Sequence, residues 1–310
     1  MGLVSMKRKV IQIGDSTQLI SLPREWAKKF NIKKGNELEV IENKDSLIIK
    51  TDNPIDVDKA EFNIEDLGLM TRRCVTALYK KGVDELKINF SDPLNVELVR
   101  QAINMETPGF EIIDQKENYC IIRNVSGVKV EEFDNLLRRT FLLLIRMAEE
   151  SYEAIKKKNF TYLKEIARLE NDNNKFTVLC RRLLNKHGHK FNFVGPMYFI
   201  IEELENIADQ FNYTCERLNE IKGKNVKISN DVLDMYKTAN EQLRNFYELF
   251  YKFDTQKVVE IKKERQMLVK KAFDLFNKKR NYYDLILLHH SITVMQKVFC
   301  LMGPYLIMNL

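Results

Sequence analysis

The spacing of hydrophobic and polar positions changes character twice along the chain, from strand-like to mixed and then to helical. Val10, Ile11 and Ile13 fall among polar neighbours in residues 8–14, and Asp15-Ser16 ends that run as a turn, which predicts a short strand. Residues 17–22 read as a second strand. Pro23 follows where a helix should start, because proline at the first turn has no N–H to leave unsatisfied and a preset φ. Trp26, Phe30 and Ile32 give that helix an apolar face. After a turn at Lys33-Lys34-Gly35-Asn36, residues 37–41 alternate as a strand, Asn43-Lys44-Asp45 turns the chain, and residues 46–50 form a last strand. The predicted order is β-β-α-β-β.

Residues 51–58 are polar and contain proline, which suits a linker. Asn63 is a candidate N-cap for a helix whose apolar positions Leu67, Met70, Val75, Leu78 and Tyr79 run to Gly82. Residues 85–90 alternate as a strand and 93–105 form a second helix. Strands at 110–115 and 119–125 follow, joined by the Lys116-Glu117-Asn118 turn. From Val130 onward the pattern is helical, with segments predicted at 131–158, 161–186, 196–221, 229–253, 255–277 and 282–304. Ser229 and Thr255 read as N-caps, and residues 222–225 (Lys-Gly-Lys-Asn) divide the helices three and three. The expected organisation is a multidomain chain with boundaries at 1–52, 59–127 and 130–310.

Charge adds direction to this frame. The 310 residues carry 50 Lys and Arg against 44 Asp and Glu, a formal net charge of +6. Residues 1–34 hold eight basic residues against only Asp15 and Glu25, so this short segment alone concentrates +6, as a nucleic-acid contact surface requires. The five cysteines are scattered without a CxxC pair, which argues against a disulfide framework or zinc site and fits a reducing cytoplasm. Residues 1–6 contain no long apolar run, so no signal peptide is expected. The apolar stretch 284–310 is interrupted by His289, His290, Gln296 and Lys297 and reads as a bundle-core helix rather than a membrane span.

The opening segment is too small to bury a core as one copy, and dimerisation with interleaved hairpins would solve that. Its basic strand, Ile13-Gly14-Asp15-Ser16, the strand end Ser21-Leu22-Pro23, the helix at 24–30 and Lys34-Gly35-Asn36-Glu37-Leu38-Glu39-Val40 resemble the AbrB/SpoVT/MazE family of DNA-binding domains. The resemblance implies a two-fold swapped-hairpin β-barrel. By position it puts Lys7, Arg8, Lys9, Gln18 and Arg24 on the parts that contact DNA. Ser16 and Gln18 stand where strong binders often place arginine, which implies readout leaning on phosphate contacts and DNA shape.

Within the helical region, residues 160–186 and 253–278 share a Thr-containing start, an acidic centre at Glu170 or Glu264, and similar ends at Leu184-Asn185-Lys186 and Phe276-Asn277-Lys278. Two three-helix repeats of this kind resemble the PhoU family of phosphate-signalling proteins. The sharpest match is Glu202-Glu203-Leu204-Glu205-Asn206-Ile207-Ala208-Asp209. Glu205 and Asp209, four residues apart, lie on one helix face, so with Glu170 of the preceding helix they are candidate ligands for a divalent or ferric ion. Asn174 replaces the second carboxylate beside Glu170, and 288–293 of the second repeat lacks the acid pair altogether.

No Walker loop, GxSxG, HExxH or Glu-x-x-His tetrad occurs, so an enzyme is not expected. His187 and His189 read as an exposed turn. The small α/β segment offers no recognisable ligand site. Together these readings predict a cytoplasmic, homodimeric DNA-binding transcriptional regulator linked to phosphate uptake, without membrane insertion. The resemblance implies a phosphate transporter or signalling kinase as partner. An adaptor of a membrane transporter that uses the barrel only to dimerise is the alternative, and an antitoxin is weaker because antitoxins usually carry a short tail.

Overall fold

The computed structural model describes residues 6–43, 45–51, 57–222 and 226–310. Most of the predicted linker, the Lys44 turn position and three of the four residues expected to divide the helices lie outside the described residues. The chain forms two compact units, Met1–Asp58 and Lys59–Leu310.

The first unit holds two hairpins around a short helix. β1 (Ile11–Ile13) pairs antiparallel with β2 (Thr17–Leu19), Ile13 opposite Thr17. The reversal needs a residue in the left-handed region, and Gly14 supplies it at φ 65° without the cost of a Cβ. α1 (Arg24–Lys29) follows Pro23, which precedes the first helical residue. The Trp26 and Phe30 rings meet along it at a tilt of 49°, their centres 5.3 Å apart. Asn36 closes the next turn by accepting from the Lys33 amide at 2.6 Å. β3 (Glu39–Asn43) and β4 (Ser46–Lys50) form the second hairpin, and β4 has the predicted bounds. Among the described residues the hairpins are separate two-stranded sheets, and no closed barrel forms within one chain.

The second unit opens with a strand that the hydrophobic pattern did not reveal. β5 (Lys59–Asn63) pairs parallel with β6 (Glu85–Asn89) at the sheet edge. It has only two apolar residues, Ala60 and Phe62, and backbone pairing rather than side-chain pattern makes it a strand. Asn63 does not cap a helix. Its Oδ1 accepts from the Glu65 amide at 2.9 Å in a local turn, and α2 (Met70–Lys81) starts further on. Gly82 ends α2 at φ 106°, a left-handed stop. α3 (Val96–Glu106), β7 (Phe110–Gln115) and β8 (Tyr119–Asn124) complete the sheet, in the order β5-β6-β8-β7. Leu86, Ile88, Cys120 and Ile122 alternate onto the face covered by Val75, Tyr79, Val99 and Ala102. The opposite face carries an ionic lattice, with Lys59 on Glu85 at 2.8 Å and Lys87 on Glu61 at 2.9 Å.

The helices follow as α4 (Phe133–Lys156), α5 (Leu163–Lys186), α6 (Val194–Asn219), α7 (Asn230–Tyr251), α8 (Thr255–Phe276), α9 (Tyr282–Cys300) and α10 (Met302–Asn309). α4, α5 and α6 pack on one another, as do α7, α8 and α9, and the sets join through α4–α7 and α6–α9. The cap of α8 is Asp254 rather than Thr255, its carboxylate accepting from the Gln256 amide at 2.8 Å. Ser229 sits at the N-cap of α7, but its hydroxyl donates to buried Asp284 at 2.7 Å. Residues 282–309 are long and apolar enough to cross a membrane, yet half of the apolar window is buried inside the bundle. Leu287, Leu288, Val294 and Val298 belong to the core.

Candidate functional site

None of the first unit's described residues is buried, and Val10, Ile11, Ile13, Leu19, Ile20, Val40 and Leu47 are between 45% and 64% exposed. Removing the exposed half of each from water is worth about 1 kcal/mol. Lys7, Arg8 and Lys9 lie exposed just before β1, Gln18 is exposed on β2 opposite Gln12, and Arg24 is exposed at the start of α1. Among the described residues the only ion pair of this unit joins Lys50 to Glu39 at 3.6 Å. The eight basic side chains of the first 34 residues therefore make no ion pair among the described residues, and their charge is available to an external anion.

The predicted metal ligands separate into two environments. Glu205 accepts from the Thr177 hydroxyl at 2.9 Å and is closely paired with Arg181, whose fully buried guanidinium also grips Glu202. A carboxylate neutralised in this way has little left to offer a cation. Glu170 and Asp209 face each other between α5 and α6, and Glu170 accepts amide protons from Asn174 and, at 3.2 Å, from Asn212. Burial, then the charge of Asp209, raises the Glu170 pKa. Burial likewise raises that of Asp209, against the lowering effect of Arg73 and Lys297. Partial removal from water and the neighbouring carboxylate both act against the ionised forms. The amide oxygens of Asn173, Asn174 and Asn212 are buried without hydrogen-bond partners. Asn174 and Asn212 bond Glu170 through their amide nitrogens, whereas Asn173 turns its amide to the Thr140 carbonyl on α4. Among the described residues no group of three or more His, Cys, Asp or Glu is placed to hold a metal ion.

Three features of the second unit escaped sequence reasoning. Arg182, nearly buried, ties α5 to the sheet: it donates to the Tyr79 and Val83 carbonyls at 2.8 and 2.7 Å and to Asp84 at 2.6 Å. Its guanidinium also lies 4.6 Å from the Tyr79 ring centre. Lys186 shares Asp84. His290 is wholly buried, its Nδ1 2.9 Å from Thr214 Oγ1 and its Nε2 3.2 Å from Asn240 Oδ1. The Asn240 oxygen can only accept, which puts the imidazole proton on Nε2. Burial pushes the His290 pKa down to about 3. The third feature is an open cleft lined by Lys80, Lys81, Asn185 and Tyr198. The signal for the first was present, since Arg181-Arg182 sits inside an otherwise apolar helix stretch.

Comparison with known proteins bears on the first unit alone. Residues 11–56 match the family model described as antidote-toxin recognition MazE, bacterial antitoxin. The match spans both hairpins and α1, and this part of the chain is similar to MazE-type domains. No curated protein matches the chain. No solved structure matches it either.

Proposed function

We propose that the chain is a homodimeric, DNA-binding transcriptional regulator. One observation carries this reading: a unit similar to MazE-type domains exposes Ile11, Ile13, Leu19, Val40 and Leu47 on its strands and also a cluster of eight basic side chains that make no ion pairs among the described residues. The apolar set suits a second copy, with the hairpins interleaving into a two-fold barrel. The basic set, with Lys7, Arg8, Lys9, Gln18 and Arg24 as the contact residues, suits the phosphate backbone of a duplex. The helical region is the sensing part. Phosphate status is the signal that the PhoU resemblance implies, and Glu170 and Asp209 are the side chains that would hold a cation there. The family match favours a second reading, an antitoxin-like protein that uses the same unit against a toxin partner.

Two measurements test the first reading. Anisotropy of a labelled duplex across a salt series should give an affinity that falls steeply with salt. Substituting Lys7, Arg8 and Lys9 by alanine removes six charges from a dimer and should flatten the log–log slope by about 5. No binding at low salt would refute the regulator. In sedimentation equilibrium, Ile11→Ser/Ile13→Ser should weaken the dimer. Four truncated side chains at about 1 kcal/mol each correspond to roughly a thousandfold in Kd.

A further inference from the structure

The seam where α2 of the sheet meets α5 of the bundle is rich in charge, and its pairing leaves a remainder. Arg181 is matched by Glu202 and Glu205, while Arg182 and Lys186 share Asp84. Lys80 and Lys81, in the last turn of α2, have no ion-pair partner among the described residues. Cations in a last helical turn are ordinarily explained by the carbonyls that end the helix. Two of those carbonyls already have side-chain donors: Arg182 donates to Tyr79 O and the Asn185 side chain to Lys80 O, both at 2.8 Å. The two ammonium groups instead border an open cleft of about 530 Å³ lined also by Ala77, Asn185 and Tyr198. That volume lies in the range of small-molecule sites, roughly 300–1,000 Å³, and exceeds what an inorganic ion fills.

We propose that this cleft binds a small organic phosphate, with Lys80 and Lys81 on the phosphate oxygens and the Tyr198 ring and Ala77 against the organic body. The cleft supplies two adjacent point charges for a tetrahedral dianion. Half-burial, followed by repulsion from Arg181, lowers the Lys80 pKa, only partly countered by Glu202 and Glu106, so an entering anion would relieve an existing cost. Because α2 carries the lysines while α5 and α6 carry Asn185 and Tyr198, the bound molecule would bridge the sheet and the bundle.

The test is calorimetric titration of the full chain at low salt with ATP, inorganic phosphate and citrate as probes. ATP should bind saturably with a Kd below about 1 mM, at least tenfold more weakly in Lys80→Gln/Lys81→Gln, and unchanged in Lys7→Ala/Arg8→Ala/Lys9→Ala. The Gln variant is checked for an unaltered helical melting curve, and Lys80→Arg/Lys81→Arg, which keeps the charge, should retain binding. Absence of saturable ATP binding, binding that survives the Gln substitutions, binding lost in the N-terminal triple variant, or a preference for citrate would each overturn the proposal. Inorganic phosphate binding more weakly than ATP would support it, since the organic body then adds contacts.

Discussion

Replacing Arg182 by alanine should cut the strongest tie between the sheet and the bundle. The side chain is nearly buried and donates two hydrogen bonds to carbonyls, at 2.7 and 2.8 Å, and one to Asp84. Charge-assisted bonds of this kind are worth about 1.5 kcal/mol each, and the cation–π contact with Tyr79 adds about 1 kcal/mol. Asp84 keeps Lys186, so the variant does not strand a carboxylate, which caps the penalty from the broken pair at about 1 kcal/mol. The total is about 4–5 kcal/mol, a large share of the 5–15 kcal/mol typical of a domain. Two optical probes separate the units. Trp26 is the only tryptophan and lies in the first unit, whereas far-ultraviolet dichroism is dominated by the helices of the second. In urea, Arg182→Ala should move the dichroism transition to lower denaturant and leave the Trp26 fluorescence transition in place. Arg182→Lys, which keeps one charge but loses the fork, should cost about 2 kcal/mol. A loss below 1 kcal/mol for the alanine variant, or an equal shift in the tryptophan signal, would refute the assignment of Arg182 as the tie.

Acid should expose the cost of burying His290. Its pKa is held at about 3 in the fold against 6.5 in the unfolded chain, so the neutral ring's contribution is full above pH 6.5 and is lost as pH falls toward 3. The stability advantage of the native protein over His290→Gln should therefore shrink by about 1.4 kcal/mol per pH unit below 6.5, and parallel pH curves would contradict this. Comparison with the variant matters because Glu170 and Asp209, with raised pKa values, work in the opposite direction: their burial cost is greatest when ionised and eases as pH falls. A third expectation concerns the acids themselves. Glu205→Gln should destabilise the bundle by about 2 kcal/mol equally with and without magnesium, through Arg181, whereas any magnesium-dependent stabilisation should disappear in Glu170→Gln. Thermal melts with and without the ion, or after chelation, distinguish the two outcomes.

The elements that show most clearly in the sequence are those with a strong period or sharp punctuation. The long amphipathic helices, the β4 strand and the Gly82 stop declare themselves because burial of one face or a forced left-handed residue leaves a mark on residue choice. β5 leaves almost none, since its place depends on hydrogen bonds to β6 that any residue type can make. The basic cluster at the start of the chain is visible as composition, but the absence of ion pairs for it among the described residues is a property of the fold. The acids at 170, 205 and 209 illustrate the limit of helical spacing. Glu205 and Asp209 do share a helix, yet a buried arginine from α5 claims one and leaves the other facing Glu170. Periodicity says which face a residue occupies, and the neighbouring element decides what it meets there.

The polar line through His290 has a mechanical consequence. Thr214 on α6, Asn240 on α7 and His290 on α9 meet inside an apolar bundle, with the Phe211 and Tyr236 rings packed 4.6 and 4.8 Å from the imidazole. A slide of one helix by a single turn would strand the imidazole among hydrocarbon with its hydrogen bonds broken. The trio therefore acts as a detent: it holds three helices at one axial setting and makes their relative sliding a stepwise event. A message crossing this bundle would have to carry α6, α7 and α9 together as one rigid block, or else lift the detent outright.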